Sequence, residues 1–388
     1  MIKNKEFNKS RLKSAREYRV KTIEQFAKEV KINILSLEKF ESGQSYPTIE
    51  EMLKICRVLN FSKDYFYEDD NVDITVERTY FSKHSSQYRK EEFAEIEKMK
   101  LTHKLFSFIE RYISFPKINI FQESSRSKNI EYVVDKFRKH YELGGDAIYN
   151  MVSFAEVNGF IVSDINTKKS SVGPFIQKSK IYDISRYFIV LGKDKKSVPK
   201  RNYDIAVQIG HIVLHELCVN ENELTSKEYI NIREEAREFA SCLLLPKENF
   251  TNDLKYPSEL DYYVNLKAKY IVPIGIMVSR AYNLGIINNR KYEYLVKEME
   301  KKGWDKKEPL EDIKGANPII SKKAIDIMIE NSIINNTGLV AILSKEGLTL
   351  PQEEIEDLLG LKRGKLSVKL KSKNKNKDEN VTVINFLR

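Results

Sequence analysis

The stretch from Tyr203 to Glu216 (YDIAVQIGHIVLHE) sets His211 and His215 four residues apart, with Glu216 directly after the second. On a helix that spacing puts both imidazoles on one face, where they could bind a transition metal. Zinc-assisted hydrolysis asks for a stricter pattern. It needs two histidines four apart and a glutamate right after the first, so that the metal acidifies a water and the carboxylate takes its proton. If His211 is the second histidine of such a pair, the first slot holds Val207 and the base slot holds Gln208. Valine offers zinc no lone pair, and a glutamine amide is no base near neutral pH. The helix has the frame of a hydrolytic centre but lacks two of its working groups, so no catalytic residue is expected.

A relocated metal site is the alternative. His211, His215 and Cys218 stand at i, i+4 and i+7, and Glu235 (or Glu234) on the next helix could complete a tetrahedral set. Cys242 lies seven residues beyond Glu235. Cysteines in such positions serve more often as small buried apolar groups, and even with a metal no residue is placed as base beside it. The expectation is no metal and no cofactor, with a zinc site at His211, His215, Cys218 and Glu235 as the alternative.

These residues need elements to hold them. Between residues 8 and 67, apolar positions such as Leu12, Ala15, Phe26, Val30, Leu37, Phe40, Ile55 and Leu59 recur at helical spacing. Thr22 with Gln25, and Thr48 with Glu51, have the form of capping boxes. Residues 68–90 are polar and charged and read as a linker or extended arm. Residues 91–114 read as a helix stopped before Pro116. Further helices are expected over 130–142, 146–158, 229–244, 258–268, 273–284 and 288–302, with more in 319–361. The runs NGFIVSDI and SKIYDISRYFIVLG, rich in β-branched and aromatic residues, predict a small sheet. The fold class is mainly α with a small β-sheet (α+β).

The chain has 388 residues and a formal charge of +10, enough length for two or three domains. The charge is uneven. Residues 361–388 carry nine Lys/Arg and two acids, a net of +7, whereas residues 1–70 carry 14 basic and 12 acidic residues. A run of this kind is a solvated tail or an attraction for nucleic-acid phosphates. No apolar run approaches the ~18–20 residues of a membrane span. The basic N-terminus has no apolar signal region, and three scattered cysteines make no disulfide framework. A cytoplasmic protein with no membrane partner is expected.

The segment from Arg11 to Phe66 resembles the phage-repressor-like (XRE) helix-turn-helix family, and most of its anchor positions are present. The resemblance implies a recognition helix from Asn33 to Phe40 whose outward residues Asn33, Ile34, Leu35, Ser36 and Lys39 meet DNA. It also implies a structural ion pair between Arg16 and Glu41. Ile34 and Leu35 depart from the polar side chains usual at a base-reading surface; they suit thymine methyls or a protein partner. Lys31 occupies a turn position that often holds glycine.

Four later patches resemble the ImmA/IrrE family of zinc peptidases in its long form fused to an XRE domain. They are ERYISFPKINIF, the two strand runs, EEAREFASCLLLP, and the segment from Leu266 to Pro309. The Gly-His of that family falls on Gly210 and His211. This makes Val207, Gln208, His211 and Glu235 the vestigial metal-site positions. The implied layout is an XRE-type domain with a five-helix bundle over 1–68, a linker and connecting helix over 69–125, a zincin-like peptidase-fold domain over 126–310, and a helical region with a basic tail over 311–388. The implied function is a transcriptional repressor, an autoregulatory antitoxin or mobile-element regulator, that binds operator DNA as a homodimer and grips a toxin, another protein or a ligand with an inactive peptidase fold. Two rivals remain: an active metallopeptidase that cleaves a repressor, and an antitoxin or protein-binding module without DNA contact.

Overall fold

Thr22 and Thr48 each accept the backbone N–H three residues on, and Gln25 and Glu51 reach back to the cap N–H groups. Both capping boxes therefore form, and they start α2 (Ile23–Val30) and α4 (Ile49–Leu59). With α1 (Lys9–Tyr18), α3 (Ile34–Ser42) and a short 3-10 helix, Asp64–Tyr67, they make a five-helix bundle. Leu12, Ala15, Phe26, Leu37, Ile55, Leu59 and Phe66 fill its core. Lys31 closes α2 in the left-handed region at φ 56°, a conformation a lysine adopts at some cost. The computed structural model describes residues 6–69, 73–81, 89–122, 129–165, 172–192, 197–216, 225–313, 315, 317–335, 338–367 and 384–385.

Two compact units divide the chain. The first comprises Met1–Pro116, Ser163–Val190 and Ile319–Arg388. Residues 74–81, read above as part of a linker or arm, form strand β1 (Ile74–Phe81). The small sheet has the order β1-β4-β5-β3, with β3 at Ile161–Ile165, β4 at Phe175–Ile181 and β5 at Ile184–Gly192. β1 and β5 both run antiparallel to β4. A bulge between Val76 and Arg78 breaks the alternation of β1, which is why a period-2 pattern does not stand out in its sequence. Helix α5 (Arg89–Ile109) ends earlier than its sequence suggests, and Ile113–Ser114 form strand β2 instead. Residues Ile384–Asn385 (β6) pair with β2 in parallel.

Helix α5 runs beside α1 and against β4. His103 Nδ1 lies 2.8 Å from Ser179 Oγ, and burial pushes the imidazole pKa down to about 3, so this is a neutral core histidine. Helices α14 (Ile320–Glu330), α15 (Gly338–Lys345) and α16 (Gln352–Leu358) complete the unit. Arg11 donates to Glu68 at 2.5 Å and to the carbonyl of Gly347 at 3.0 Å, while Arg19 donates to Glu354 at 2.8 Å. The bundle and the residues around α15 and α16 are thus tied by charge-assisted bonds. Leu361 and Leu366 are buried, Arg363 is held by Glu353 and Asp357, and Lys365 by Asp326. The start of the basic run is therefore folded, with Lys362 and Arg363 still exposed to solvent. Apart from 384–385, the run beyond residue 367 lies outside the described residues.

The second unit, Lys117–Val162 with Leu191–Pro318, takes all its helices from α6 to α13: α6 (Ile130–His140), α7 (Met151–Val157), α8 (Val198–His215), α9 (Ser226–Leu244), α10 (Lys247–Asp253), α11 (Leu260–Tyr270), α12 (Ile274–Asn283) and α13 (Asn289–Lys301). Thr225 and Glu228 form a third capping box, at the start of α9. Among the described residues, no helix is long and apolar enough to cross a membrane.

Candidate functional site

Helix α8 is anchored at its start by Asn202, which accepts the N–H of Met151 at 3.0 Å and donates to the carbonyls of Tyr149 and Ile271 at 3.1 and 3.3 Å. From Ile205 to His215 every side chain is buried. The crossing with α9 is set at Gly210. A Cβ there would stand 2.9 Å from Phe239 Cδ1 and 3.0 Å from the Ala236 carbonyl oxygen, so glycine is what lets the helices approach this closely. The crossing fixes Glu235, the neighbour of Ala236, beside the last turn of α8.

Glu235 Oε2 meets His215 Nε2 at 2.9 Å, so the matched third-ligand position faces His215. The rings of His211 and His215 lie 5.6 Å apart between centroids. Burial first, then the charges of His215, Arg233 and Arg237, holds the His211 pKa well below the ordinary histidine value, and His211 is neutral at physiological pH. Gln208 is fully buried, and Val207 is nearly so. Glu216, also buried, accepts from Gln122 Nε2 at 2.8 Å.

The proposed relocated ligands divide. His215 meets Glu235 and lies beside the His211 ring, while Cys218 lies outside the described residues. Cys242 is elsewhere in the unit: its Sγ lies 3.3 Å from Glu131 Oε2 and 3.1 Å from Arg280, and Arg280 bridges to Glu131 at 2.7 Å. Burial pushes the Cys242 thiol up, which favours the protonated form over a ligand thiolate. Among the described residues, no three His, Cys, Asp or Glu side chains form a group that could hold a metal. The donor set around Val207 does not fit a zinc ion held as in a His-Glu-x-x-His helix.

The second candidate surface is α3. Asn33 is its N-cap and accepts the N–H of Leu35 at 2.8 Å, so its side-chain oxygen takes part in starting the helix. Leu35 is 65% and Ile34 39% exposed. Lys39 is exposed and Ser36 half-buried. Glu38, for which the sequence carries no distinguishing signal, is exposed beside Lys39 and places an acid next to the residues expected to meet DNA. Arg16 holds Glu41 with two bonds, Nε to Oε1 at 2.6 Å and Nη2 to Oε2 at 2.9 Å, and donates a third to the carbonyl of Lys21 at 2.9 Å.

Arg16→Ala is therefore expected to lower stability by about 1–3 kcal/mol, the cost of leaving a largely buried acceptor unsatisfied. Lys39→Ala should leave thermal stability within about 0.5 kcal/mol and weaken DNA binding about tenfold. Thermal melts alongside DNA titrations separate the two. Equal loss of stability in both variants would contradict these assignments.

Comparison with known protein families gives two matches. Residues 10–72 match a helix-turn-helix domain. Residues 162–282 match the IrrE N-terminal-like domain, a peptidase family. Neither curated proteins nor solved structures give a match.

Proposed function

From the premise that a helix-turn-helix domain and an IrrE N-terminal-like domain share this chain, we propose that the protein is a cytoplasmic DNA-binding repressor whose peptidase-like module has lost catalysis and grips a partner or ligand instead. The observation that carries the loss is the content of α8. Val207 and Gln208 fill the ligand and base slots, they are buried, and Glu235 is engaged with His215. Neither a polarised water nor a carboxylate base is provided for. The module keeps the helix pair, crossed at Gly210, and with it a rigid frame. Operator DNA is bound as a homodimer, and control of the protein's own gene, as an antitoxin or mobile-element regulator, is the role this combination supports.

One observation favours a second reading. Ile34 and Leu35 are exposed at the leading end of α3, and Tyr46, Ile49 and Leu53 are exposed nearby in sequence. Such an apolar surface also suits a protein partner, and the helix-turn-helix would then dock a toxin without touching DNA. A mobility-shift titration with the DNA upstream of the protein's own gene decides between them. A specific shift supports the repressor. Its absence, with Ile34→Ser and Leu35→Ser abolishing capture of the neighbouring gene's product, supports the docking module.

A further inference from the structure

Helix α4 has two apolar sides. Met52, Ile55 and Leu59 are buried in the bundle. On the other side Ile49 is 76% and Leu53 58% exposed, one turn apart, and Tyr46 is exposed just before the helix. Among the described residues of the bundle, no other helix exposes two large apolar side chains at that spacing. A clustered apolar face of this kind is a contact surface.

The charges around it select the occupant. Helix α4 carries Glu50 and Glu51 in its first turn and Arg57 in its last. Glu50 and Arg57 are seven residues apart and both exposed, so they flank Leu53 on one face, an acid toward the start and a base toward the end. Glu50 also meets Lys54 at 2.7 Å, an exposed pair that solvent screens. Lay a second α4 antiparallel on the first, across a two-fold axis at Leu53. Arg57 of each copy then falls beside Glu50 of the other, Leu53 meets Leu53, and the two helix dipoles oppose. A surface that complements its own reversed image is what a two-fold dimer requires; an unrelated partner asks for no such order along the helix.

The face is small. A helix of 11 residues is ~16 Å long and ~10 Å wide with its side chains, short of the ~800 Å² that each partner gives to a standard interface. Pairing through it is weak in the free protein. On DNA, two half-sites one helical turn apart hold the copies together and raise their effective concentration.

We propose that α4 is the surface through which two copies of this chain pair on DNA, antiparallel about Leu53. This rests on the reading of the protein as a homodimeric repressor and supplies the contact which that reading needs.

The test is a mobility-shift titration of the full chain on duplex from upstream of its own gene, with the number of chains per duplex read by sedimentation velocity. Wild type should load two chains with few singly bound complexes. Cooperativity, the ratio of the two binding steps, is insensitive to a change in affinity for a single half-site, so it isolates the contact between copies. Leu53→Glu should lower it at least tenfold and leave the melting temperature unchanged, because the side chain is exposed. Glu50→Arg and Arg57→Glu should each lower it by setting like charges together. The double variant restores opposite charges in reversed order and should recover it, a gain that neither lost folding nor a foreign partner produces. If wild type loads two chains cooperatively and Leu53→Glu does the same, α4 is not the contact and the homodimer reading stands; loss of capture of the neighbouring gene's product in that variant would assign the face to that protein. A double variant no better than either single one overturns the antiparallel pairing. If wild type loads one chain per duplex, or none, the homodimer reading and this contact fall together.

Discussion

Glu308→Ala is expected to destabilise the second unit by about 3–5 kcal/mol, the range for breaking a buried ion pair from one side. Lys267 on α11 is 1% exposed and Glu308 7% exposed, with Nζ and Oε2 2.6 Å apart. The carboxylate does a second job. Helix α12 begins after Pro273 with no side-chain cap of its own, and Glu308 accepts the N–H of Ile274 at 2.9 Å and of Gly275 at 3.3 Å. Alanine would strand a buried ammonium and two helix-start donors at once. The exposed pair Lys301 and Glu298 on α13, also at 2.6 Å, is the control. Glu298→Ala should cost less than about 1 kcal/mol because solvent screens that pair. Denaturant unfolding followed by limited proteolysis of α11 and α12 reads the difference. Lys267→Met combined with Glu308→Gln should recover part of the loss, since no charge is then left buried. A Glu308→Ala protein as stable as the Glu298→Ala control would refute this account of α12.

Val207→His combined with Gln208→Glu is expected to take zinc content from below stoichiometric to about one per chain. Position 207 lies one helical turn before His211 on the same face, so the new imidazole and His211 make the two-histidine pair that a catalytic zinc helix presents. Glu235 already reaches the last turn of α8, where it meets His215; to serve as third ligand it must exchange that partner for the metal. The residues being replaced are buried, so some loss of stability is expected in the apo form, recovered when zinc is added. A double variant that stays folded by circular dichroism and binds no zinc would mean that the alignment of α8 with a zinc helix is wrong. Restored hydrolysis is not required by this argument, because a base and a ligand do not supply a substrate cleft.

Local signals carried much of this structure. The capping boxes at Thr22 and Thr48 announce α2 and α4, because both partners of each box lie within one turn. The Arg16–Glu41 pair was reachable only through resemblance to a helix-turn-helix family, since nothing local links residues 25 apart. Strand β1 stayed hidden: its burial is that of an edge strand, and its alternation is interrupted by a bulge. Asn33 caps α3 through the Leu35 N–H, a role that its place at the mouth of the helix also allows beside a DNA contact. The choice of His215 by Glu235 was not legible either. Spacing along α8 places both histidines on one face, but the crossing at Gly210 against Ala236 and Phe239 decides which one Glu235 reaches. The Lys267–Glu308 bond joins residues 41 apart, and nothing local in the sequence links them.

The account turns most directly on the metal content of the wild-type protein, measured by elemental analysis after purification without chelators and dialysis against zinc-free buffer. With valine and glutamine in the ligand and base slots of α8, zinc should be far below one per chain and unchanged in His211→Ala. One zinc per chain, lost in His211→Ala, would contradict the inactive-site reading and return the relocated set of His211, His215, Cys218 and Glu235 to the centre of the protein's chemistry.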